Sequence, residues 1–233
     1  MAFVHRTHVL QLEGCLVALI ILVYLVVAES VDASSSPFTQ VGPPLITGEP
    51  RARFGDGVAV SKNGQIAAVL ASNKAYVSML QYNSSQWVFL ARLTPYDLPR
   101  HHAASAARSV SISHDGTYVA FGSDVDYYHE STGSAWVFNR TSDTNWEQMG
   151  SMIRPSTAEV DDHWAASLSL ANDGRTLALG SPERNSLYVF TLNNYGVWTE
   201  SPDPLHSTDG SNPSNQGISC ALNEDGTLLA FGG

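Results

Sequence analysis

The chain has 233 residues, of which 43% are hydrophobic and 15% charged, a composition typical of a soluble globular protein. Its formal net charge is −10, and the sequence contains no cluster of Lys and Arg residues. Because clustered cationic side chains are needed to displace counterions from phosphates, we expect no nucleic-acid partner, and an anionic membrane surface is disfavoured for the same reason.

The N-terminus carries an uncharged apolar run, Cys15–Ala28, between a weakly basic lead and small residues. Its 14 residues fall short of the roughly 18–20 that span a bilayer. This anatomy is typical of a cleavable secretory signal, with an uncleaved anchor through residues 10–28 as the alternative. We predict a signal peptide or anchor over 1–28, a linker over 29–36, and a secreted or cell-surface location for the remainder.

Two sequons agree with an extracytosolic location and predict glycosylation at Asn83 and Asn139. Cys220 is the single thiol once Cys15 leaves with the signal, so no internal disulfide is expected. The position of Cys220 in its repeat predicts a core-facing side chain, as for Val58, Val110 and Leu168.

Four stretches of the chain resemble one another, each an alternating pattern followed by a polar turn that ends in glycine. The glycines lie 52, 58 and 52 residues apart, a period that indicates a repeat architecture. The stretches are Val58–Gly64, Val110–Gly116, Leu168–Gly174 and Cys220–Gly226.

The second repeat, about 106–155, shows the complete unit. Residues 109–113 alternate polar and apolar side chains with the two-residue period of a half-buried strand. Asp115-Gly116 predicts a hairpin, because glycine accepts a positive φ at little cost. Tyr118–Gly122 and Ala135–Phe138 give the second and third strands, and Trp146 opens the fourth.

Sheets of this kind, stacked around an axis, form a β-propeller, so we predict an all-β fold after an N-terminal hydrophobic helix. Recurring aromatic residues, such as Tyr76, Trp136 and Tyr188, are interpreted as core between the sheets. The predicted blades are about 54–94, 106–155 and 164–205, with a partial blade at 216–233 that residues 37–46 complete.

These residues resemble the FG-GAP repeats of integrin-α-type β-propellers. The resemblance rests on Phe54-Gly55, Leu177–Pro182, Gly133–Phe138 and Ser186–Phe190. It implies an extracellular interaction module. The calcium loop of many such blades is missing, since Lys62-Asn63-Gly64 and its equivalents offer at most one or two acids against the six to eight oxygens that calcium takes.

Strand order predicts where a partner binds. First-to-second and third-to-fourth turns share one end of the propeller, and both sequons fall there. The other end, the long-loop face, carries the longer connections, and loops on a rigid scaffold collect binding residues. We predict a protein or glycan ligand on the long-loop face, formed by Leu93–Arg108, Ser123–Ser134, Arg154–Ala165 and Pro202–Gly217.

No motif for hydrolysis, phosphate binding or zinc catalysis is present. On the long-loop face, the acidic loop Asp124 to Glu130 is interpreted as solvated, with a bound cation as the alternative. His101-His102 and Asp161–His163 are candidate ligands or acid–base groups, but adjacent residues rarely converge on one ion, so no site is predicted there. The prediction is therefore a non-enzymatic interaction module with no catalytic residue, metal or cofactor. The alternatives are a secreted propeller hydrolase or lyase, in which carboxylates or histidines from different blades meet near the axis, and an inactive truncated fragment.

Overall fold

The computed structural model describes residues 40–98, 107–123, 132–159, 162–206 and 215–233. The chain divides into two compact units, 1–40 and 41–233, and only Gln40 of the first unit is described. The predicted signal or anchor and the linker therefore lie outside the described residues. Among the described residues, no helix has the length and apolar character needed to cross a bilayer.

The described residues form fourteen strands, joined in order by hairpins and loops. They are β1 (Phe54–Val60), β2 (Ile66–Ala71), β3 (Tyr76–Tyr82), β4 (Trp87–Leu93), β5 (Ala107–Ile112), β6 (Tyr118–Ser123), β7 (Ser134–Arg140), β8 (Trp146–Gln148), β9 (Ser167–Leu170), β10 (Thr176–Ser181), β11 (Ser186–Leu192), β12 (Trp198–Glu200), β13 (Ser219–Leu222) and β14 (Leu229–Gly232).

Each sheet is a simple antiparallel meander. The first sheet (β1–β4), second sheet (β5–β8) and third sheet (β9–β12) have four strands, and the last sheet (β13–β14) has two. First strands contact one another in succession, β1 with β5, β5 with β9 and β9 with β13, so they lie nearest the axis. The predicted β-propeller fold, with three complete blades and a partial one, is confirmed.

The core consists of apolar layers between neighbouring sheets. Leu70, Val77 and Met79 of the first sheet pack against Phe121 and Trp136 of the second. A similar layer joins the second and third sheets. A small residue recurs at the centre of each second strand: Ala68, Ala120 and Ala178 are all 0% exposed, which lets the sheets approach closely.

Aromatic residues near the start of the third strands are buried, and in two of them the segment that precedes the sheet satisfies the polar atom. The Tyr76 hydroxyl donates to Glu49 at 3.3 Å, and the Trp136 indole N–H donates to Asp97 at 3.0 Å. Burial at sheet interfaces therefore explains why each repeat carries these residues.

One predicted core position is wrong. Val58 is 57% exposed, whereas Leu168 at the same repeat position is 8% exposed. The reason is topological: Val58 pairs with Val69 on the side of the first sheet that faces away from the second. In the described ranges, no sheet precedes β1.

The origin of the partial blade's missing strands stays a prediction. Residues 37–39 lie outside the described residues, and residues 40–46 carry no strand. A Cβ on Gly42 would meet Gln86, beside Trp87, much as one on Gly150 would meet Gly196 and Trp198. This parallel supports the predicted correspondence between the segments that precede the first and third sheets.

Candidate functional site

The turns between first and second strands share one construction, which fixes their polar side chains. A glycine at positive φ (Gly64, +70°; Gly116, +76°) closes the turn. The residue before it accepts a hydrogen bond from the backbone two positions on, as Asp115 does from Thr117 N–H at 2.8 Å. The residue two positions before the glycine is left to point away from the turn.

Backbone hydrogen bonds tie these turns together from sheet to sheet. Lys62 N–H donates to the carbonyl of His114 at 2.8 Å, and Asn172 N–H donates to the carbonyl of Glu224 at 2.9 Å. Between them, His114 N–H donates to the Asn172 side-chain oxygen at 2.8 Å. We call Lys62, His114, Asn172 and Glu224 the axial cluster, because each comes from a first-to-second turn of a different sheet.

Side chains of the axial cluster meet across the axis. Nδ1 of His114 lies 3.0 Å from Oε1 of Glu224, and Nζ of Lys62 lies 3.9 Å from Oε2 of the same carboxylate. The His114–Glu224 contact has the distance of an ion pair without the alignment of a hydrogen bond, and Nδ1 itself is buried. The three side chains keep 42–68% of their surface exposed, so a solute can reach them.

The carboxylates beside the axial cluster accept hydrogen bonds that stabilise the turns. Burial acts to raise the pKa of Asp115, but hydrogen bonds from Ser113 and Thr117 outweigh it, so its pKa is lowered. Hydrogen bonds from Thr227 lower the pKa of Asp225. Both groups therefore stay ionised acceptors, whereas the carboxylate of Glu224 faces a histidine and a lysine.

This arrangement can perform acid–base chemistry. A carboxylate at Nδ1 of a histidine favours the tautomer that carries its proton there, which leaves Nε2 free to accept a proton. A nearby ammonium group can stabilise an oxyanion that forms on a substrate.

The structure describes only parts of the long-loop face, where two carboxylates, Asp97 and Asp162, hold loops in place through hydrogen bonds. Asp97 accepts from Trp136, Gln148 and Met152 at 2.6–3.0 Å. Asp162, 6% exposed, accepts from Arg184, Glu159 and Trp164. The predictions that concern His101, His102, Asp124 to Glu130 and Asp161 lie outside the described residues. No group of three metal-ligating side chains occurs within the described ranges.

Of the two predicted glycosylation sites, Asn83 lies in a third-to-fourth turn and Asn139 lies in the third strand that precedes one. Asn83 is exposed, and its side-chain oxygen accepts from Gln86 N–H at 3.1 Å. Asn139 is half-buried near the end of β7, where it pairs with Tyr118 and Glu147. Glycosylation at both positions stays a prediction, as does ligand binding at the long-loop face.

Sequence reasoning missed the axial cluster, although the signal was present. The repeat alignment places all four residues at one position of the unit, and a propeller brings equivalent turns together at one end of its axis. That position varies from repeat to repeat between polar and charged residues, whereas positions in the core keep their character.

Comparison with known proteins gives matches at the level of structure. No family model matches the chain, and no curated protein matches its sequence. Among solved structures, a "putative 6-phosphogluconolactonase" from Bacteroides fragilis has a TM-score of 0.52 at 11% identity, over 75% of this chain and 40% of that one.

Two further structures fall below a TM-score of 0.5, and no argument rests on them. A protein from Bacteroides uniformis with the same description has 13% identity and a TM-score of 0.49, over 75% of this chain and 42% of that one. A periplasmic gluconolactonase from Pseudomonas aeruginosa has 14% identity and a TM-score of 0.47, over 76% and 42%. The chain thus spans less than half the length of each structure.

These findings correct two predictions. The FG-GAP resemblance is wrong: no family model supports it, and the structural match is to a protein described as a lactonase. The strand and turn residues that suggested FG-GAP repeats serve any four-stranded blade, which explains the error. The prediction of a non-enzymatic interaction module is also contradicted, since the solved structure that this chain resembles is described as a lactonase.

Proposed function

We propose that this chain belongs to a propeller hydrolase that adds water to a sugar lactone at the axial cluster. The observation that carries the proposal is the meeting of His114, Glu224 and Lys62, which three different sheets bring to one end of the axis. The lactonase description of the Bacteroides fragilis structure supports the choice of substrate class.

The reaction follows from the roles of three side chains. The Glu224 carboxylate, 3.0 Å from Nδ1 of His114, favours a proton on that nitrogen, and Nε2 takes a proton from water as the water oxygen bonds to the lactone carbonyl carbon. Lys62 stabilises the oxyanion. The ring C–O bond then breaks, and the imidazolium returns its proton to the departing ring oxygen, which yields a hydroxy acid.

Exposure of the cluster suits a small polar substrate. Lys62, His114 and Glu224 are all reachable from solvent, and the one cation of the cluster matches the negative charge that develops on the carbonyl oxygen. Since Asp115 and Asp225 are held in their turns, His114 is the described group best placed to move a proton.

Substitutions in the axial cluster test the proposed function. Hydrolysis of gluconolactone is followed by pH-stat titration, with the spontaneous rate subtracted. We expect His114→Gln to reduce kcat/KM about 100-fold or more, the usual contribution of a general base. Glu224→Gln is expected to reduce it about tenfold, because the histidine loses the carboxylate that faces Nδ1.

Matched controls distinguish chemistry from general damage. His206, Glu183 and Lys74 are exposed residues outside the cluster, so His206→Gln, Glu183→Gln and Lys74→Met should retain wild-type rates, whereas Lys62→Met should not. A wild-type rate for His114→Gln, or no hydrolysis above the spontaneous rate by the unmodified chain, would rule the proposal out.

An extracytosolic location is part of the proposal. The apolar run Cys15–Ala28 and the exposed sequon at Asn83 support it. Mass spectrometry of the secreted chain should find a new N-terminus after Ala28 or Ala33 and a glycan on Asn83. An intact N-terminus and an unmodified Asn83 in cytosolic material would contradict this location.

A further inference from the structure

The turns of the axial cluster are linked by hydrogen bonds that change character at the third sheet. At two junctions a backbone N–H donates to the backbone carbonyl of the next turn, from Lys62 to His114 at 2.8 Å and from Asn172 to Glu224 at 2.9 Å. At the junction between them, His114 N–H donates to the side-chain oxygen of Asn172, Oδ1, at 2.8 Å. The Asn172 side chain therefore takes the place of a backbone carbonyl.

Asn172 is bonded to both members of the histidine–glutamate pair. Its side chain accepts from the backbone of His114, and its own N–H donates to the carbonyl of Glu224. Asn172 thus lies between the backbones of two residues whose side chains meet at 3.0 Å. This placement puts an uncharged polar group beside the candidate acid–base pair.

One end of the Asn172 carboxamide is occupied, and the other end is available. Because the group is planar, the hydrogen bond that holds Oδ1 also holds Nδ2, which carries two N–H donors. Among the described residues, no group accepts a hydrogen bond from Nδ2. Nδ1 of His114 and Nε1 of Trp146 are the buried side-chain atoms without a hydrogen bond in the described ranges, so Nδ2 of Asn172 is accessible to solvent.

Other side-chain donors of these turns are used within the protein. The Asn223 amide donates to Thr227 at 3.2 Å, and the Arg175 guanidinium donates to the Leu192 carbonyl at 3.1 Å. Nδ2 of Asn172 differs from both, because its position is fixed while its hydrogens remain free for a solute.

We propose that Asn172 is a substrate-binding residue of the axial cluster, whose Nδ2 donates to the carbonyl oxygen of the lactone and stabilises the oxyanion together with Lys62. The inference rests on the proposed function for the identity of the reaction. A donor that is held in place before the substrate arrives needs no reorganisation when charge develops on the oxygen. Because the amide is uncharged, it leaves the contact between His114 and Glu224 undisturbed.

Asn172→Asp separates the two roles of the side chain. The variant retains an oxygen that can accept from His114 N–H, but a second, negatively charged oxygen replaces the donor. We expect kcat/KM for gluconolactone to fall about 100-fold, as is usual when one oxyanion donor is lost. A residue that serves merely to hold the His114 backbone would tolerate this substitution.

Asn63→Asp is the matched control, since it makes the same change in the turn of the first sheet. Oδ1 of Asn63 accepts from Gln65 N–H at 2.9 Å, a bond that aspartate also accepts. The other three repeats carry Asp115, Asp173 and Asp225 at this position, so the fold tolerates the residue. Asn63→Asp should retain the wild-type rate, which would show that added negative charge alone does not slow hydrolysis.

Binding of gluconolactam measures the donor without catalysis. This probe has the ring carbonyl of the lactone, and its amide bond resists hydrolysis. In isothermal titration calorimetry, Asn172→Asp should weaken binding about fivefold, as for the loss of one hydrogen bond. Hydrogen exchange followed by NMR should find His114 N–H still protected in this variant, which would confirm that the acceptor is retained.

The outcomes separate this inference from the proposed function. If His114→Gln abolishes hydrolysis while Asn172→Asp keeps the wild-type rate and lactam affinity, the inference is wrong and the proposed function is not. Equal losses for Asn172→Asp and Asn63→Asp would also overturn the inference. If the unmodified chain binds the lactam without hydrolysing the lactone, and Asn172→Asp weakens that binding, the donor is supported and the proposed function is wrong. A chain that neither binds nor hydrolyses overturns both.

Discussion

At the scale of single residues, hydrogen bonding decides what each carboxylate does. Asp115 and Asp225 accept bonds from their own turns, and Asp97 and Asp162 accept bonds that fasten inter-sheet segments. Glu224 belongs to the same type of turn as Asp225, but its carboxylate contacts His114 and Lys62 instead. Adjacent acids in one turn thus take different roles, one structural and one available for chemistry.

Asp162 is the carboxylate whose loss should cost most. Burial acts to raise its pKa, but hydrogen bonds from Arg184, Glu159 and Trp164 outweigh this effect. The pKa of Asp162 is therefore lowered, and the folded state holds the anion. Asp162→Asn replaces an acceptor by a donor that faces other donors. We expect the free energy of unfolding to fall by about 2 kcal/mol, the usual cost of leaving buried donors without an acceptor.

Urea unfolding followed by tryptophan fluorescence measures that loss. Asp173→Asn is the matched control, because Asp173 is exposed and an amide oxygen can still accept from Arg175 N–H. We expect less than about 0.5 kcal/mol there, as for most surface substitutions. Equal losses for the two variants would show that Asp162 is not a buried anchor.

At the scale of strands and sheets, each element's pattern reflects its place in the stack. Second strands are buried on both sides, so β2, β6 and β10 are nearly continuous apolar segments. First strands alternate because one side meets the previous sheet and the other meets the next. In β5 and β9 the side chains that face the next sheet are serines. Ser109 and Ser167 donate to carbonyls of the next sheet, and Ser111 and Ser169 accept from its backbone N–H groups.

The close approach of the third and last sheets depends on Gly180. In Gly180→Ala the new methyl group would collide with the Gly217 carbonyl and Ser167. We expect a loss of about 2 kcal/mol, typical of overpacking, and faster proteolysis of residues 215–233. Gly232→Ala, at the same repeat position with open space around it, should leave the free energy of unfolding and the rate of proteolysis unchanged. Similar behaviour of the two variants would contradict this packing.

At the scale of the whole molecule, the stack determines where chemistry can occur. First strands and their turns converge on the axis, so side chains far apart in sequence meet there, while outer strands diverge. The same stack leaves two unequal ends, the exposed Val58 face and the exposed Ala230 face. The candidate site is thus a consequence of sheet stacking.

The fold should lose stability in acid. A hydrogen bond from Arg92 lowers the pKa of Glu49, and the pKa values of Asp115, Asp162 and Asp225 are lowered as well. The folded state therefore binds fewer protons than the unfolded chain. Stability is fully present above the ordinary values of 4.5 for Glu and 3.8 for Asp, and it is lost as pH falls through the lowered values.

The urea midpoint should accordingly be similar at pH 7 and pH 5 and lower at pH 3. Protonation also relieves the repulsion within a chain of net charge −10, which acts in the opposite direction. A salt concentration of 0.5 M screens this repulsion. A midpoint that rises as the pH falls to 3 in high salt would contradict the dominance of these four carboxylates.

The sequence by itself determined the strands, their order and their grouping into sheets. These depend on local features: the two-residue alternation of Ser109 to Ser113, the glycine turn at Gly116 and the recurrence of both. The same features are common to many propellers, so they pointed to the wrong family. A binding site was predicted on the long-loop face, because loop length can be read from a sequence. The convergence of side chains from different sheets cannot be read in this way.

Only the tertiary structure decided which side chains meet. His114 and Glu224 lie two sheets apart, and the distance between them depends on the curvature of the stack, to which every inter-sheet contact contributes. Val58 and Leu168 hold the same repeat position but differ in exposure. Leu168 packs against the second sheet, whereas no described sheet packs against Val58.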